Sequence, residues 1–413
     1  MRILFHHRIA SRDGQAVHIE EMIAALRRQG HETILVGPAS FGATKFGGSN
    51  RLVDLIKRII PGAVYESLEI AYNIKAFIRL SAAMRRHRPD VIYERFSLFL
   101  FAGLWMRRLS GVPLLLEVNA PLYQERARND GLRLHRLGRW AQTVLWNRVD
   151  HVLPVTGVLA GMVADTGVAA ARMTVIPNGI DPDRFSAVPD PAAAKQALGL
   201  TSQMGPSRMV IGFTGFIRGW NAVHRLIDFV ALHHARFDLH ILVVGDGPAR
   251  ESLQDHARAR GVADRLTIAG IVARDDVARY IAAFDIAVLP GLTPYSSPLK
   301  LFEYLQLGRA IVAPDTENIR EILTDGQDAL LFDADQDGSL EQTLLRLCAD
   351  AGLRARLGEA ARQTITTKSL TWNRNAERVA AIAQAAIAQA GRARSAHRPA
   401  TAAPANAASK PTL

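Results

Sequence analysis

Short apolar runs alternate with amphipathic helical patterns through the first 120 residues of the chain. The runs RILFHH (2–7), ETILVG (32–37), DVIYE (90–94) and PLLLEV (113–118) predict buried strands. A helix is predicted between the first two strands because apolar residues recur on one face: Val17, Ile19, Met22, Ile23 and Leu26. Gly30 ends this helix. The alternation of strand and helix predicts a parallel sheet covered by helices.

The same alternation restarts after residue 205 and predicts a second sheet. Its strands are predicted at 209–215, 239–245, 266–270, 285–290 and 310–314. A stretch rich in Pro, Asp and Gly, IPNGIDPDRFSAVPDP (176–191), separates the two halves. We therefore predict an α/β fold of two doubly wound domains, residues 1–180 and 181–368. Ligands are expected in the cleft between the carboxyl ends of the two sets of strands.

The two ends of the chain carry separate expectations. A last helix at 369–390 is predicted to cross back to the first domain, and the remainder, 391–413, is predicted to be disordered. The N-terminal MRILFHH is too short and too polar for the core of a signal peptide. The longest apolar stretch, 96–106, has 11 residues, whereas about 20 are needed to span a bilayer. A cytoplasmic protein is expected. Its positive charge would also suit a location at the inner face of the membrane.

Composition fits a soluble globular protein, since 48% of the 413 residues are hydrophobic and 22% are charged. The single cysteine, Cys348, cannot form an internal disulfide, and no Cys/His cluster has the spacing of a zinc site. The formal net charge is +11, and 13 basic residues stand against five acidic ones between Lys75 and Arg139. A phosphorylated substrate, an anionic membrane, nucleic acid or plain solvation would each account for such a surface. No nucleic-acid-binding motif accompanies it.

One segment connects this charge to a membrane. In LVDLIKRII (52–60), apolar residues at helical spacing lie beside Arg51, Lys57 and Arg58. Basic amphipathic helices of this kind lie on anionic bilayers. The alternative is an ordinary helix that packs its apolar side on the sheet.

The segment SSPLKLFEYLQLGRAIVAPD (296–315) carries the most chemical information. Ser297 and Pro298 predict the N-cap and first-turn proline of a helix whose free N–H groups point into the cleft. Lys300, in the first turn, opposes the helix dipole unless an anion such as a diphosphate binds there. Glu303 lies on the same side and suits the hydroxyls of a ribose. The alternative is a surface helix with a Lys–Glu pair.

Two further loops reach the same cleft. Arg218 lies in GFIRGW (215–220), after the first strand of the second domain, where an exposed loop arginine is the alternative. Gly14, in SRDGQAVH (11–18), lets backbone amides approach a phosphate closely. No GxGxxG follows a predicted strand and no GxxxxGK[ST] loop occurs, so no dinucleotide cofactor is expected.

Together these segments resemble a family 4 (group 1) glycosyltransferase with the GT-B architecture of two facing Rossmann-like domains. The resemblance spans about residues 1–370 and keeps the family's order. It is carried by the Gly14 loop with VHIEEMIAALRRQGHE (17–32), IPNGIDPDRF (176–185), GFIRGW, VVGDGPARESL (243–253), residues 269–290 and the SPLKLFEY variant within 296–315.

The resemblance implies a role for particular residues. Arg218 and Lys300 would hold the diphosphate and carry catalysis, and Glu303 would bind the ribose. Asn119 and Glu125, in LEVNAPLYQE (116–125), would lie on the acceptor side. The remaining donor-binding positions implied by the match are Gly14, Gly270, Ile271, Val272, Ser296, Ser297 and Leu299.

The implied activity is a retaining, metal-independent hexosyl transfer from a UDP- or GDP-linked sugar. The acceptor would be a glycan or a lipid-linked molecule in exopolysaccharide, lipopolysaccharide or other envelope assembly. Two positions depart from the family pattern, since Ser296 replaces its usual first glutamate and Asn221 replaces a lysine. These departures leave a non-catalytic nucleotide-sugar-binding protein as the alternative.

Overall fold

A computed structural model describes residues 1–10, 14–38, 60–128, 131–186, 188–201 and 208–396. The predicted basic helix at 52–60 lies outside these residues except for Ile60, and so does the tail from residue 397. The described part consists of two parallel sheets with helices on both faces. The prediction of an α/β fold with two doubly wound sheets is therefore confirmed.

The first sheet has the strand order β2-β1-β3-β4-β5, with every neighbouring pair parallel. Its strands are β1 (Arg2–His6), β2 (Glu32–Val36), β3 (Val91–Arg95), β4 (Leu114–Val118) and β5 (His151–Pro154). Its helices are α1 (Gly14–Arg28), α2 (Gly62–His87), α3 (Ala102–Ser110), α4 (Leu122–Arg128), α5 (His135–Arg148) and α6 (Gly157–Ala164).

The second sheet has the order β11-β10-β9-β6-β7-β8 and is also parallel. Its strands are β6 (Met209–Thr214), β7 (Leu239–Val244), β8 (Leu266–Gly270), β9 (Ile286–Val288), β10 (Ala310–Pro314) and β11 (Leu330–Phe332). Its helices are α7 (Pro191–Ala197), α8 (His224–His233), α9 (Arg250–Ala259), α10 (Val277–Ala282), α11 (Leu299–Gln306), α12 (Glu317–Arg320), α13 (Ser339–Ala349) and α14 (Ala351–Thr367).

Helices cover both faces of each sheet, which explains why the central strands are apolar at nearly every position. All five residues of β3 and of β4 are buried, although Glu94, Arg95 and Glu117 are charged. These three lie at the carboxyl ends of their strands, where ligands of such sheets bind. Three acidic or basic side chains are therefore buried at this edge of the first sheet.

The last helix, α15 (Trp372–Ala396), packs on the first domain although it follows the second in sequence. Its residues Trp372, Ala376 and Val379 share a buried cluster with Ile3 and Phe5 of β1. The helix continues to Ala396, so residues 391–396, for which disorder was predicted, are helical. The alanine-rich sequence has high helix propensity, which extends the helix beyond its packed turns.

All nine predicted strands are present, and two additional strands were missed. These two, β5 and β11, have four and three residues and are too short to show a period of two. No helix in the described part of the chain is long and apolar enough to cross a membrane.

Candidate active site

Helix α11 begins in the cleft and carries three of the predicted donor-binding residues, Leu299, Lys300 and Glu303. It starts at Leu299 after Pro298, and no side chain caps its first turn. The prediction that Ser297 is the N-cap is wrong, because its hydroxyl accepts a hydrogen bond from the Asn178 N–H at 3.0 Å instead. The free N–H groups of the first turn therefore remain available to a ligand.

Lys300 and Glu303 lie three residues apart on α11, and both side chains are half-buried. The Lys300 ammonium is 3.7 Å from the centre of the Phe213 ring. Burial lowers the pKa of Lys300 to about 7, although Glu303 opposes the shift. Burial also raises the pKa of Glu303 to about 7, against the charges of Lys300 and Arg274. An anion bound beside Lys300 would restore its full charge at neutral pH.

Arg218 lies in the loop after β6, at the same end of the second sheet as Lys300. Its guanidinium is held between two aromatic rings, 4.9 Å from the centre of Phe216 and 4.8 Å from that of Trp220. The side chain is exposed to solvent. Asn221 accepts a hydrogen bond from the Arg218 N–H at 2.9 Å and so fixes the turn. The loop presents a cation that its own aromatic neighbours orient.

Gly215, Gly245 and Gly247 allow the loop after β6 to lie against the loop after β7. A Cβ on Gly245 would come within 2.1 Å of the Gly215 carbonyl oxygen, and one on Gly247 within 2.3 Å of the Ile217 oxygen. Gly215 and Gly245 have φ angles of 116° and 144°, which side chains rarely adopt. The glycines of VVGDGP therefore bring the ends of β6 and β7 together below the cleft.

The end of β8 supplies the residues expected to contact the base. Gly270 has a φ of 75° and forms a bridge with Gly245. Ile271 is 47% exposed, while Val272 packs against the buried core. The chain therefore offers its backbone and one apolar side chain at this edge.

The amino ends of two helices meet across the domain boundary. Gly14, the first residue of α1, is positioned so that a Cβ there would lie 3.6 Å from Cδ1 of Leu299, the first residue of α11. Each helix end carries a partial positive charge. The structure thus joins two electropositive helix ends at the place predicted for the diphosphate.

A small cavity adjoins Glu303 and lies between the domains. Arg274 lines it and pairs with both Glu20, at 3.2 Å, and Glu21 of α1. Burial lowers the pKa of Arg274, although the two glutamates oppose the shift. Sequence analysis missed Arg274, because its partners lie more than 250 residues away in the chain.

The acceptor-side candidates lie in the first domain, after β4. The Asn119 side-chain oxygen is buried and has no hydrogen-bond partner among the described residues. Glu125 of α4 accepts a hydrogen bond from the Tyr295 hydroxyl of the second domain at 2.5 Å. Burial, followed by this bond, raises the pKa of Tyr295. Tyr295, which sequence analysis also missed, ties the acceptor-side helix to the loop before α11.

Ser296 is engaged within its own loop. Its hydroxyl donates to the Thr293 carbonyl at 2.9 Å, and its carbonyl accepts from the Asn318 amide at 2.7 Å. Pro298, two residues later, ends the loop. Ser296 thus shapes the approach to α11, and its backbone lies at the edge of the site.

Two family models match most of the chain. One, described as Glycosyltransferase Family 4, matches residues 12–184, and the other, Glycosyl transferases group 1, matches residues 208–350. The first covers the domain with Gly14, Asn119 and Glu125, and the second covers Arg218, Lys300 and Glu303. Residues 185–207, between the two matches, belong to the segment that links the two sheets.

Individual relatives agree with these models. The chain is 30% identical over 204 residues to a 2-deoxystreptamine glucosyltransferase of Streptomyces kanamyceticus, covering 47% of this chain and 50% of that protein. It is 26% identical to a GDP-mannose-dependent alpha-mannosyltransferase of Mycolicibacterium smegmatis, covering 87% and 90%. The chain thus spans about half the length of the first of these curated relatives.

A solved structure shows the same fold. The crystal structure of Anabaena HepE in complex with UDP matches with a TM-score of 0.71 over 93% of this chain and 100% of that chain. The two sequences are 18% identical. The arrangement of two facing sheets is thus shared between the two proteins over nearly their whole length.

Proposed function

This chain belongs to the group 1 glycosyltransferases of the GT-B class, and we propose that it transfers a hexosyl group from a UDP- or GDP-linked sugar with retention of configuration. The observation that carries the proposal is the meeting of Gly14 and Leu299, with Lys300 in the turn that Leu299 begins. Two helix ends and a half-buried cation converge there. Such a place suits a diphosphate.

The proposed chemistry is stabilisation of the leaving group. As the bond between the sugar C1 and the diphosphate oxygen breaks, negative charge grows on the diphosphate. Arg218, Lys300 and the N–H groups of the first α11 turn would bind that charge more strongly than the charge of the intact donor. Loss of one such contact typically lowers the rate by about 10²–10³.

The rest of the donor is assigned to neighbouring groups. Glu303 would accept hydrogen bonds from the ribose hydroxyls, since it lies one turn deeper on the same helix as Lys300. The backbone of Gly270, Ile271 and Val272 would contact the base. Ser296 and Ser297 would border the sugar. Either nucleotide suits this arrangement, because a diphosphate and a ribose are common to UDP and GDP.

Retention follows from attack on the same face that the diphosphate leaves. The acceptor hydroxyl would form the new bond to C1 while its proton passes to the departing diphosphate oxygen, so no protein nucleophile is required. Asn119 would contact the acceptor, because its buried oxygen, which has no partner among the described residues, can accept a hydrogen bond from a sugar hydroxyl. Glu125 would border the acceptor, held by Tyr295.

We place the enzyme in polysaccharide or envelope glycan assembly, in peripheral contact with an anionic membrane. The supporting surface lies on the first domain, where α2, α3 and α5 expose large apolar side chains: Ile74, Ile78, Trp105, Leu109 and Trp140. Phe77 and Phe101 connect them, with ring centres 6.2 Å and 5.7 Å from Trp105 and Trp140 respectively. We call these five exposed residues the apolar face.

Basic residues accompany the apolar face. Lys75, Arg108, Arg136 and Arg139 are all exposed on the same three helices. Mixed aromatic and basic surfaces suit the interface of an anionic bilayer. A symmetric dimer through this face would bring like charges together, which disfavours a second copy as the occupant.

The decisive experiment is a screen of sugar nucleotides for transfer to lipid-linked and soluble acceptors. The anomeric configuration of the product is then read by NMR. A product with the donor's configuration is expected. A product of inverted configuration would contradict retention, and binding of a nucleotide sugar without any turnover would favour a binding protein.

A further inference from the structure

His18 is buried where the first domain, the interdomain linker and the last helix meet. Its Nε2 lies 2.8 Å from Oε2 of Glu117 in β4, and its Nδ1 lies 2.6 Å from Oδ1 of Asn178 in the linker. The ring of Trp372, at the start of α15, packs edge-on against it with centres 5.0 Å apart. Both ring nitrogens of His18 therefore face an oxygen.

The orientation of the Asn178 amide is fixed by its other partner. Its Nδ2 lies 2.5 Å from the carbonyl oxygen of Ser297, which can only accept a hydrogen bond. The NH₂ group must therefore point at Ser297, and the amide oxygen must point at His18. The Asn178 N–H also donates to the Ser297 hydroxyl at 3.0 Å. Asn178 thus binds Ser297 twice, two residues before α11 begins.

The Glu117 carboxylate can also only accept. It receives hydrogen bonds from the Tyr93 hydroxyl at 2.5 Å and from Arg95 at 2.7 Å. Burial alone would raise its pKa, but the charges of His18 and Arg95 and the hydrogen bonds it accepts lower that pKa to about 2. Glu117 is consequently ionised at neutral pH, and it offers no proton to His18.

A neutral imidazole has one N–H group and one lone pair. Between two oxygens that can only accept hydrogen bonds, one nitrogen of a neutral ring would point its lone pair at an oxygen lone pair. Such an unsatisfied contact is unfavourable in a buried site. An imidazolium donates at both nitrogens, and the negative charge of Glu117 compensates it. The charged neighbours are Glu117 from β4 and, beyond it, Arg95 from β3, whereas the linker and α15 present the uncharged Asn178 and Trp372.

We propose that His18 is held as an imidazolium and that, through Asn178 and Ser297, it positions the first turn of α11 against α1. His18 is buried and both of its ring nitrogens face oxygens of the protein, so we assign it as a positioning residue. The inference rests on the proposed function in one respect only, namely that α11 binds the donor through Lys300 and Glu303. A series of hydrogen bonds, Glu117–His18–Asn178–Ser297, connects the core of the first domain to the start of α11 in the second.

The proton can be tested without any substrate. In protein labelled with ¹⁵N at histidine, we expect both ring nitrogens of His18 to carry protons at neutral pH. In Glu117→Gln, the new amide can donate to Nε2 while its oxygen still accepts from Arg95. His18 should then become neutral, with its proton on Nδ1. A wild-type His18 with one protonated nitrogen would overturn the proposal.

The positioning role is tested by donor kinetics. We expect His18→Gln and Asn178→Ala to raise the KM of the donor about tenfold or more, with the acceptor KM changed by less than about twofold. Ser297→Ala, which keeps the bond to the Ser297 carbonyl, should have a smaller effect. His240→Gln is the matched control, because His240 is a buried histidine bonded to Thr267 at 2.8 Å, within the second sheet.

His240→Gln should lower the melting temperature without changing the donor KM. If His18→Gln and Asn178→Ala lower the melting temperature similarly and leave the donor KM unchanged, His18 is merely structural and the positioning role is overturned. If the wild-type protein uses no sugar nucleotide at all, the proposed function fails and the positioning role fails with it. The NMR result decides the protonation of His18 in either case.

Discussion

The Lys300 ammonium lies 3.7 Å from the centre of the Phe213 ring, at the end of β6. Gly215 leaves room beside it, since a Cβ there would lie 3.0 Å from Nζ. A cation over an aromatic face gains about 0.5–2 kcal/mol. Charge-assisted hydrogen bonds to a phosphate are stronger, so an arriving diphosphate can take Lys300 from the ring at little cost. The ring therefore holds the cation in place for the donor.

We expect a bell-shaped pH dependence of kcat/KM for the donor. Burial lowers the pKa of Lys300 to about 7, so the ammonium that binds the diphosphate is lost above that pH. Burial raises the pKa of Glu303 to about 7, so the carboxylate that binds the ribose is lost below it. Because the two groups interact, the apparent pKa values of the two limbs of the profile describe the coupled pair and not Lys300 or Glu303 individually. Rates measured from about pH 5.5 to 9 check this, and a flat profile contradicts it.

Glu303→Gln should weaken donor binding by about 1.5–3 kcal/mol, because the ribose hydroxyls lose a charged acceptor. Titration calorimetry with the donor nucleotide measures the effect. Asp275→Asn is a suitable control, since Asp275 lines the same cavity but its side chain is 90% exposed. An unchanged donor affinity in Glu303→Gln, with the fold intact, would remove Glu303 from the site.

Restoring the family's lysine at position 221 should lower activity. The Asn221 side chain accepts the Arg218 N–H at 2.9 Å, and Asn221→Lys removes that acceptor. Arg218 is exposed and depends on its loop for orientation, so we expect kcat to fall about tenfold. Asn221→Asp keeps an acceptor at this place and should retain more activity. A gain of activity in Asn221→Lys would mean that the added positive charge outweighs the orientation of the loop.

That Arg218 and Lys300 lie at the same edge of the second sheet can be predicted from the order of its strands. Arg218 follows β6 and Lys300 follows β9, and these strands are neighbours in the sheet. Residues after neighbouring parallel strands necessarily lie close together. The helical spacing of Lys300 and Glu303 is likewise a local property. Such positions are predictable without knowing how the domains face each other.

Contacts between the two domains could not be predicted from the sequence. The pair Tyr295–Glu125 joins residues 170 apart, and His18–Asn178 joins residues 160 apart. Neither partner carries a local pattern that indicates the other. Ser297 was predicted from its local sequence to cap the helix. Its hydroxyl instead accepts a hydrogen bond from the backbone N–H of Asn178 in the linker. Tertiary packing overrides the local preference there.

Transfer activity is expected to persist in excess chelator. Within the described ranges, no three His, Cys, Asp or Glu side chains are grouped to hold a metal ion. The charge of the diphosphate is assigned instead to Arg218, Lys300 and helix ends. Initial rates in EDTA, with and without added manganese, measure this. Complete loss of turnover that manganese restores would overturn charge stabilisation by the protein alone.

Binding to anionic vesicles should depend on the apolar face and its basic neighbours. Each Lys or Arg near an anionic surface contributes about 1 kcal/mol, and an exposed tryptophan anchors at the interface. Replacing Lys75 and Arg108 with Glu should therefore weaken binding at least tenfold, and Trp105→Glu should weaken it as well. Co-sedimentation at low salt with vesicles rich in phosphatidylserine, against neutral vesicles, gives the measurement.

Two controls separate this surface from other sources of binding. Leu232→Glu changes an apolar side chain that is 61% exposed on α8 of the second domain, so it should leave vesicle binding unchanged. Removal of residues 397–413 tests the basic tail, whose Arg398 and Lys410 would attract the same lipids. If binding survives the Lys75/Arg108 and Trp105 changes but vanishes with the tail, the apolar face is not the membrane contact. If it survives loss of the tail and vanishes with Trp105→Glu, the first domain contacts the membrane directly, because only that domain carries the altered side chain.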